Sequence, residues 1–341
     1  MTVFNGKTIV FGAPQRFNWD KVIETELKNL GFNTVNISFY GPQYTYKNRR
    51  QRVKSFFFRE ILGDRSYKTK LKFRAAQDRL EAELDQLTMA DYALIIRPDV
   101  YPIEFINRLR TKVKKLIGYQ WDGLDRFPHV YDYIGLFDRF FVFDGNDLTV
   151  PLVLPITNYA PVALCHNLYD ESLRSDVYYS GSYEKQRIAV LANLIDDCRS
   201  LGLDVKYHLH HKKHLHLPEH NLSMTTKTMA YDENLRYAYN SKIILDLLNP
   251  VHHGLSFRFF EALLFDKKVV TNNERAAEYD FYHPDNIFIW NHSNIEELRA
   301  FIEKPYRPIP LAIKEKYSFS NWLQYALDEG QYTSLSIPQH G

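Results

Sequence analysis

One stretch in the second half of the chain carries residue types suited to binding a phosphate group. Residues 253–263 read HGLSFRFFEAL and directly follow an apolar run. A small-residue turn that opens a helix presents backbone N–H groups and the positive end of the helix dipole, and both favour an anion. Ser256 adds a hydroxyl donor, Arg258 adds a guanidinium suited to phosphate oxygens, and Glu261 can accept both hydroxyls of a ribose. The alternative is a simple helix cap at Gly254 and Ser256, with Glu261 as a solvated helix position.

A tryptophan and an aspartate follow another apolar run. Trp121 can stack on a sugar, and Asp122 can accept a hydroxyl proton, if both stand at the end of a strand. Asp122 is therefore a candidate catalytic base, and the alternative is a turn-forming aspartate before a glycine. Gly12 and Arg97 end two further apolar runs. Ligands of open α/β sheets bind beyond the carboxyl ends of the strands, so we expect these residues near a ligand.

Six histidines lie within thirteen residues: His208, His210, His211, His214, His216 and His220. Imidazoles at such spacing can hold zinc. However, Lys212 and Lys213 lie inside the cluster, and no carboxylate or cysteine occurs in it before Glu219. The sequence therefore favours a solvated or ligand-facing loop over a metal site.

Positive charge is concentrated in residues 47–79, which contain twelve basic and three acidic residues, whereas the whole chain has a net charge of only +2. Phe56, Phe57, Phe58 and Phe73 are interleaved with these charges. Three interpretations stay open: a solvated helical face, a contact with anionic lipid head groups or an anionic acceptor, and a nucleic-acid surface. The last is the weakest, because no zinc-finger, RRM or KH pattern is present.

Apolar runs alternate with helical patterns along most of the chain. The apolar runs predict strands at 7–11, 34–38, 91–96, 115–119, 138–143, 177–180, 204–208, 242–247, 268–271 and 287–290. Helical patterns occupy the basic stretch and residues 18–30, 74–87, 102–111, 184–201, 256–265 and 312–327. This alternation predicts a doubly wound parallel sheet in each half of the chain. The stretch 149–163 contains three prolines and is interpreted as the passage between the two halves.

A length of 341 residues favours two domains. We expect an N-terminal Rossmann-like domain at 1–160 with a basic helical insertion at 47–79, a C-terminal Rossmann-like domain at 161–311, and a helix and tail at 312–341. Hydrophobic content of 45% and charged content of 25% exclude a disordered or collagen-like chain. Two cysteines exclude a disulfide framework, no apolar run is long enough to span a membrane, and no signal-peptide pattern is present, so we expect a cytoplasmic protein.

Residues 253–272 resemble the donor-site segment of GT-B glycosyltransferases, where a glycine turn leads to a Glu-Ala-Leu helix and then to a Lys-Val-Val strand. Glu261 matches the second of two glutamates that many retaining members carry, and the first position falls on His253, so the stereochemical outcome stays open. Residues 178–187 are similar to the diphosphate loop of this family. Residues 119–126 are similar to segments of bacterial cell-surface polysaccharide glycosyltransferases. The resemblance implies an α/β fold of two Rossmann-like domains facing a central cleft, with a C-terminal helix that crosses back to the N-terminal domain.

The resemblance also implies an activity, namely sugar transfer from a UDP- or GDP-linked donor to a glycan or lipid-linked acceptor in bacterial surface polysaccharide synthesis. No metal or other cofactor and no nucleic-acid partner are implied. The implied donor-binding residues are Ser180, Gly181, Lys185, Arg187, Gly254, Leu255, Ser256, Arg258 and Glu261. The implied acceptor-binding residues are Gly12, Arg97 and Trp121, and the implied catalytic residues are Asp122 and His253. Residues 47–79 would touch the anionic inner face of the cytoplasmic membrane. The alternative function is non-catalytic binding of a glycan or nucleotide on the same scaffold.

Overall fold

The chain divides into two compact units in this computed structural model, which describes residues 4–39, 48–60, 66–163, 165–249, 253–292 and 294–338. The first unit comprises residues 1–143, 147–156 and 323–332. The second comprises residues 144–146, 157–322 and 333–341. The return of residues 323–332 to the first unit confirms the predicted crossing-back of the C-terminal helix.

The first unit is a six-stranded parallel sheet with helices between its strands. Its strands are β1 (Thr8–Gly12), β2 (Asn33–Asn36), β3 (Ala90–Ile96), β4 (Val113–Gln120), β5 (Arg139–Val142) and β6 (Val153–Pro155). Its helices are α1 (Trp19–Asn29), α2 (Arg49–Glu60), α3 (Ser66–Arg74), α4 (Gln77–Gln86) and α5 (Ile103–Arg110).

The strand order of this sheet is β2-β1-β3-β4-β5-β6, and every pairing is parallel. The chain passes from β1 to β2 on one side and then crosses to β3 on the other side of β1. The switch point therefore lies between the carboxyl ends of β1 and β3, which are Gly12 and Ile96. α1 packs on the sheet through Val22, Ile23 and Leu27, whose spacing places them on one helix face.

The second unit is a five-stranded parallel sheet with a separate two-stranded hairpin. Its strands are β7 (Ser175–Ser182), β8 (Val205–His210), β9 (Leu215–Leu217), β10 (Leu222–Met224), β11 (Ser241–Asp246), β12 (Lys268–Thr271) and β13 (Ile287–Ile289). Its helices are α6 (Ile188–Ser200), α7 (Tyr231–Tyr239), α8 (Phe257–Phe265), α9 (Ile295–Glu303), α10 (Leu311–Lys316) and the start of α11 (Phe319–Leu327).

The order of the second sheet is β13-β12-β11-β7-β8, and all of its pairings are parallel. After β8 the chain crosses to β11 on the other side of β7, so the switch point lies between the ends of β7 and β11. Two parallel sheets with intervening helices confirm the predicted α/β fold of two Rossmann-like units.

Residues 149–163 are more than a passage between the units, because they contain β6. This strand pairs only with β5 and ends the sheet, and Pro151 and Pro155 flank its centre. Proline is tolerated at an edge strand, where fewer N–H donors are needed. The three prolines therefore predicted a connecting segment where the structure has an edge strand.

Two other predicted elements differ from the structure. The helix predicted from residue 184 begins at Ile188, because residues 185–187 form a turn first. The helix predicted at 312–327 is two helices, α10 and α11. The break falls at Ser318, which forms a parallel bridge with Ala160 and accepts the backbone N–H of Asn321 on its hydroxyl.

No helix within the described ranges is both long and apolar enough to cross a membrane.

Candidate functional site: polar side chains at the switch points of the sheets

The start of α8 is tied to the end of β11. Ser256 is the N-cap residue of α8, and its Oγ accepts the backbone N–H of Arg258 at 3.2 Å. The same hydroxyl donates to Asp246 Oδ1 at 2.6 Å. Asp246 is the last residue of β11 and is only 2% exposed. The serine therefore does cap the helix, and its hydroxyl hydrogen is already used by a buried carboxylate.

Arg258 joins the two strands that flank the switch point. Its Nη1 lies 3.2 Å from Asp246 Oδ1 at the end of β11, and its Nη2 donates to the carbonyl of Ser180 near the end of β7. The guanidinium also lies over the Tyr179 ring, 5.5 Å from the ring centre. The side chain is 23% exposed, and the strand ends that it joins are the position where ligands of such sheets bind.

Glu261 lies one turn further along α8 and is only 2% exposed. Its Oε1 accepts the hydroxyl of Tyr231 at 2.7 Å. Burial raises the pKa of Glu261, although the hydrogen bond from Tyr231 and the charge of Arg258 lower it. A ribose would therefore meet a carboxylate that is buried and already bonded to Tyr231.

The neighbouring Asn234 connects α7 to the end of β7. Its Oδ1 accepts the Ser180 hydroxyl at 2.5 Å and the Tyr178 hydroxyl at 3.1 Å. Ser180, predicted from the loop after the strand, is thus held inside the same cluster as Arg258.

The basic residues before α6 differ in their environment. Lys185 is exposed in the turn that precedes the helix. Arg187 is the N-cap residue of α6, and its Nη1 lies 3.4 Å from the carbonyl of Leu247, just after β11. The Nε atoms of Arg187 and Arg258 are both buried without a hydrogen-bond partner in the described part of the chain. Two buried N–H donors near the switch point are suited to an anionic ligand.

Gly181 has a packing role in β7. A Cβ at this position would lie 2.6 Å from the hydroxyl of Tyr179, so the glycine makes room for that ring.

The turn that leads to α8 is fixed through its backbone. The N–H of His253 donates to Asp144 Oδ2 at 2.8 Å, and its carbonyl accepts from Asn273 Nδ2 at 3.3 Å. Leu255 is buried, and its carbonyl accepts from Asn158 Nδ2 at 2.9 Å. Gly254, between them, is partly exposed. These bonds hold residues 253–255 in the turn before the cap of α8.

In the first unit, the end of β4 carries an ion-pair network. Asp122 Oδ2 accepts from Arg97 at 3.0 Å, and its Oδ1 accepts from Arg126 at 2.7 Å. Arg97 also forms two 2.7 Å bonds with Asp99 and lies 3.5 Å from the centre of the Phe127 ring. Both oxygens of the candidate base are therefore engaged by arginines.

The backbone at Arg97 is in the left-handed region, with φ of 58°. This conformation is uncommon for a residue other than glycine and turns the side chain from the end of β3 towards Asp122. Trp121, between β4 and this network, is partly exposed. Arg97, Trp121 and Asp122 thus share one end of the first sheet.

Gly12, at the end of β1, is buried and closely packed. A Cβ there would lie 2.7 Å from the hydroxyl of Tyr101, which donates to the carbonyl of Ile37 at 3.1 Å. Packing against Tyr101 therefore gives this glycine a structural role in the first sheet.

His208 and His210 lie in β8, His211 and His214 lie in the loop that follows, and His216 and His220 lie in the β9–β10 hairpin, so the predicted solvated loop covers only part of this segment. His216 lies 3.0 Å from the Ser223 hydroxyl on the opposite hairpin strand, and His220 lies 2.6 Å from Asp196. Burial lowers the pKa of His208. Within the described ranges, no three His, Cys, Asp or Glu side chains are grouped so that they could hold a metal ion.

The sequence analysis missed Asp144, Tyr231, Asn234 and Asp246. Asp246 had a visible signal, because it is a charged residue inside the apolar run at 243–247. Tyr231 and Asn234 had none, because α7 was not predicted and its contact with α8 is a tertiary one.

No protein-family model matches the sequence, and the search of curated proteins gave no match. Solved structures do match. S. aureus MnaA, solved with UDP, superposes with a TM-score of 0.51 at 11% identity, covering 97% of this chain and 100% of that one. The lipopolysaccharide outer core galactosyltransferase WaaB has a TM-score of 0.50 at 11% identity over 94% and 99% of the two chains. A Listeria monocytogenes protein named as a candidate UDP-N-acetylglucosamine 2-epimerase superposes with a TM-score of 0.51 at 9% identity, covering 97% of this chain and 99% of that one.

The chain has the GT-B fold. The superpositions cover nearly the whole chain, and the two parallel sheets provide the same architecture. At this level of identity the likeness establishes the GT-B fold and leaves the reaction to be argued from the site.

Proposed function

We propose that this protein is a glycosyltransferase that takes a sugar from a nucleotide-diphosphate donor, UDP- or GDP-linked, without a metal cofactor. The observation that carries the proposal is the cluster around Arg258 at the switch point of the second sheet. Two proteins with similar structures support the substrate class, because one was solved with UDP and another is named a galactosyltransferase.

The donor diphosphate would lie beyond the ends of β7 and β11. Arg258 joins these two strand ends, and Arg187 lies near them. Their buried Nε–H groups gain a partner when a phosphate oxygen binds, and Lys185 adds an exposed cation at the turn before α6. A fixed set of cationic donors also stabilises the negative charge that develops on a departing diphosphate.

The donor ribose would lie against Glu261. Because Tyr231 already donates to this carboxylate, ribose binding exchanges one hydroxyl donor for another rather than filling an empty position. Gly254, Leu255 and Ser256 shape the turn beside it, and Ser180 and Gly181 shape the end of β7.

The acceptor would bind at the end of the first sheet, over Gly12, Arg97 and Trp121. Asp122 and His253 are the proposed catalytic residues, and Asp122 would take the acceptor proton in an inverting reaction. The ion pairs with Arg97 and Arg126 keep its carboxylate in one orientation. The acceptor class we propose is a glycan or lipid-linked sugar in bacterial surface polysaccharide synthesis.

The direct test is an assay of nucleoside-diphosphate release with a panel of UDP- and GDP-sugars and a mixture of lipid-linked and free glycan acceptors. We expect release from at least one donor that depends on an acceptor and survives EDTA. Release that needs a restored divalent ion would contradict the metal-independent part. If a donor binds but no nucleoside diphosphate is released with any of the acceptors, the non-catalytic alternative would be favoured.

Arg258→Ala gives the site-specific arm of this test, with Arg174→Ala as the matched control. Arg174 is an exposed arginine of the same unit that pairs with Glu171 outside the site. We expect Arg258→Ala to weaken binding of the nucleoside diphosphate by at least about tenfold and to leave nucleoside binding nearly unchanged, since a charge-assisted bond contributes about 1.5–3 kcal/mol. Equal losses for the two ligands would remove Arg258 from the diphosphate site.

A further inference from the structure

Helix α2 presents large apolar side chains to solvent. Val53 is 66% exposed, Phe56 is 58% exposed and Phe57 is 45% exposed. Ser55, in contrast, is buried against the rest of the first unit. Burying such residues is worth about 1.5–3 kcal/mol each, so a helix that leaves three of them at the surface has an unusual face.

The apolar residues form one stripe on this helix. With about 100° of rotation per residue, Val53 points roughly away from the buried Ser55, and Phe56 and Phe57 flank it at about 60° and 40° on either side. Arg52 borders the stripe beyond Phe56, and Arg50 and Lys54 border it beyond Phe57. Arg49 lies on the stripe side, one turn before Val53, at the start of the helix. All of these basic side chains are exposed.

Four cations in the first half of α2 form no ion pair within the described residues. Arg49, Arg50, Arg52 and Lys54 form no ion pair with any acidic side chain in the described part of the chain. Elsewhere in the basic stretch the charges are used internally. Lys70 pairs with Glu104. Arg79 donates to the backbone carbonyl of Ser38 at 2.6 Å, beyond the end of β2.

We propose that the exposed face of α2 binds the surface of an anionic lipid bilayer. The helix would lie in the plane of the interface, with Val53, Phe56 and Phe57 among the acyl chains nearest the head groups. The bordering cations would lie at the level of the lipid phosphates, where each strengthens binding about fivefold. An apolar stripe between two rows of cations matches this layered surface. A nucleic acid offers no apolar layer for Val53.

The proposal does not depend on the proposed transferase activity, because α2 belongs to the first unit and the donor cluster to the second. The two claims can therefore fail separately, and the tests use different ligands.

The test is sedimentation of the full chain with phosphatidylcholine vesicles and with vesicles that also contain phosphatidylglycerol. We expect binding to the anionic vesicles only, and release as the ionic strength rises. The triple variant R49E/R50E/R52E should bind at least about 100-fold more weakly. Its control is K212E/K213E/K227E, which makes the same charge change at exposed lysines of the second unit and should bind like the wild type.

The apolar stripe has its own test. V53S/F56S should weaken vesicle binding about tenfold, whereas M89S/L311S, which changes two other exposed apolar residues, should not. Circular dichroism and thermal melts would establish that each variant is folded. F56W should add a fluorescence component that shifts to the blue only when anionic vesicles are present.

Several outcomes would overturn the proposal. Equal binding to neutral vesicles, or no binding to either kind, would do so. An equal loss in the K212E/K213E/K227E control would show that net charge alone decides binding. Vesicle binding that is lost in R49E/R50E/R52E but gives no blue shift in F56W would show that α2 does not enter the interface. Binding of duplex DNA at the same salt concentration would then identify a general polyanion-binding surface instead.

Discussion

Glu261 is a buried acidic side chain beside an arginine that is itself paired with Asp246. Its Oε1 accepts from Tyr231, and only 2% of the residue is exposed. The competition between burial, which favours the neutral acid, and Arg258, which favours the carboxylate, leaves its pKa raised. A group of this kind is costly to the fold unless it serves a ligand or holds its neighbours in position.

Glu261→Gln should be more stable than the wild type at neutral pH, and the difference should shrink as the pH falls. Because the folded-state pKa is raised, the carboxyl group binds its proton more tightly in the folded protein. Its contribution to stability is therefore greatest below the ordinary value of 4.5 and is lost as pH rises through the folded pKa. Glutamine removes this loss and keeps an oxygen for Tyr231.

Urea unfolding between about pH 4 and pH 8 measures this difference. Glu297→Gln, at an exposed position of α9, is the control and should give a curve parallel to the wild type. If the Glu261→Gln curve were parallel as well, the raised pKa of Glu261 would be wrong.

At the scale of elements, each predicted site is built where a buried strand ends and a glycine or polar residue follows. The end of β1 shows how packing alone can explain such a residue. Gly12 lies against the hydroxyl of Tyr101, and Ile37 and Ile95 are each 3.1 Å from the position of its absent Cβ.

Gly12→Ala should destabilise the protein by about 1–3 kcal/mol, because the added methyl group would overlap the Tyr101 hydroxyl. Tyr101→Phe removes that hydroxyl and gives up its bond to Ile37, at a cost of about 1 kcal/mol. The double variant should then be more stable than the sum of the two changes predicts, with a coupling of about 1 kcal/mol.

Denaturant melts of the three variants measure this coupling. Gly135→Ala is the matched control, because a Cβ there meets no atom within 4 Å, and it should change stability by less than about 0.5 kcal/mol. Additive effects of Gly12→Ala and Tyr101→Phe would show that the contact is not the reason for the glycine.

The strands of both sheets could be predicted because fully buried parallel strands are unbroken apolar runs. β12 was predicted to the residue, and β3 and β11 were predicted to within one residue at each end. β6 and α7 could not be predicted. The first is an edge strand flanked by prolines. The second has a helical surface whose partner, α8, is close only in the folded chain.

The site was only partly accessible to sequence reasoning for the same physical reason. Ser256, Arg258 and Glu261 lie on one helix, so their spacing alone places them together. Asp246 and Tyr231 belong to other elements. No local sequence pattern predicts the ion pair of Asp246 with Arg258 or the hydrogen bond from Tyr231 to Glu261.

For the molecule as a whole, the GT-B fold consists of two units that are each a parallel sheet with a switch point. α11 links them in sequence, because it begins in the second unit and ends in the first. In the first unit, the carbonyl of Tyr325 accepts from Arg139 at 2.8 Å, which joins α11 to β5. The proposed sugar-nucleotide site lies in the second unit, and the proposed acceptor site lies in the first.

Hydrogen–deuterium exchange of the full chain, with and without each of a panel of UDP- and GDP-sugars, tests the central claim most directly. With a donor that binds, we expect slower exchange in residues 180–187 and 253–261, where the backbone lines the ends of β7 and the start of α8. The same donor should leave these residues unchanged in the Arg258→Ala variant. Protection confined to other parts of the chain, or none with any donor of the panel, would contradict the assignment of the donor site.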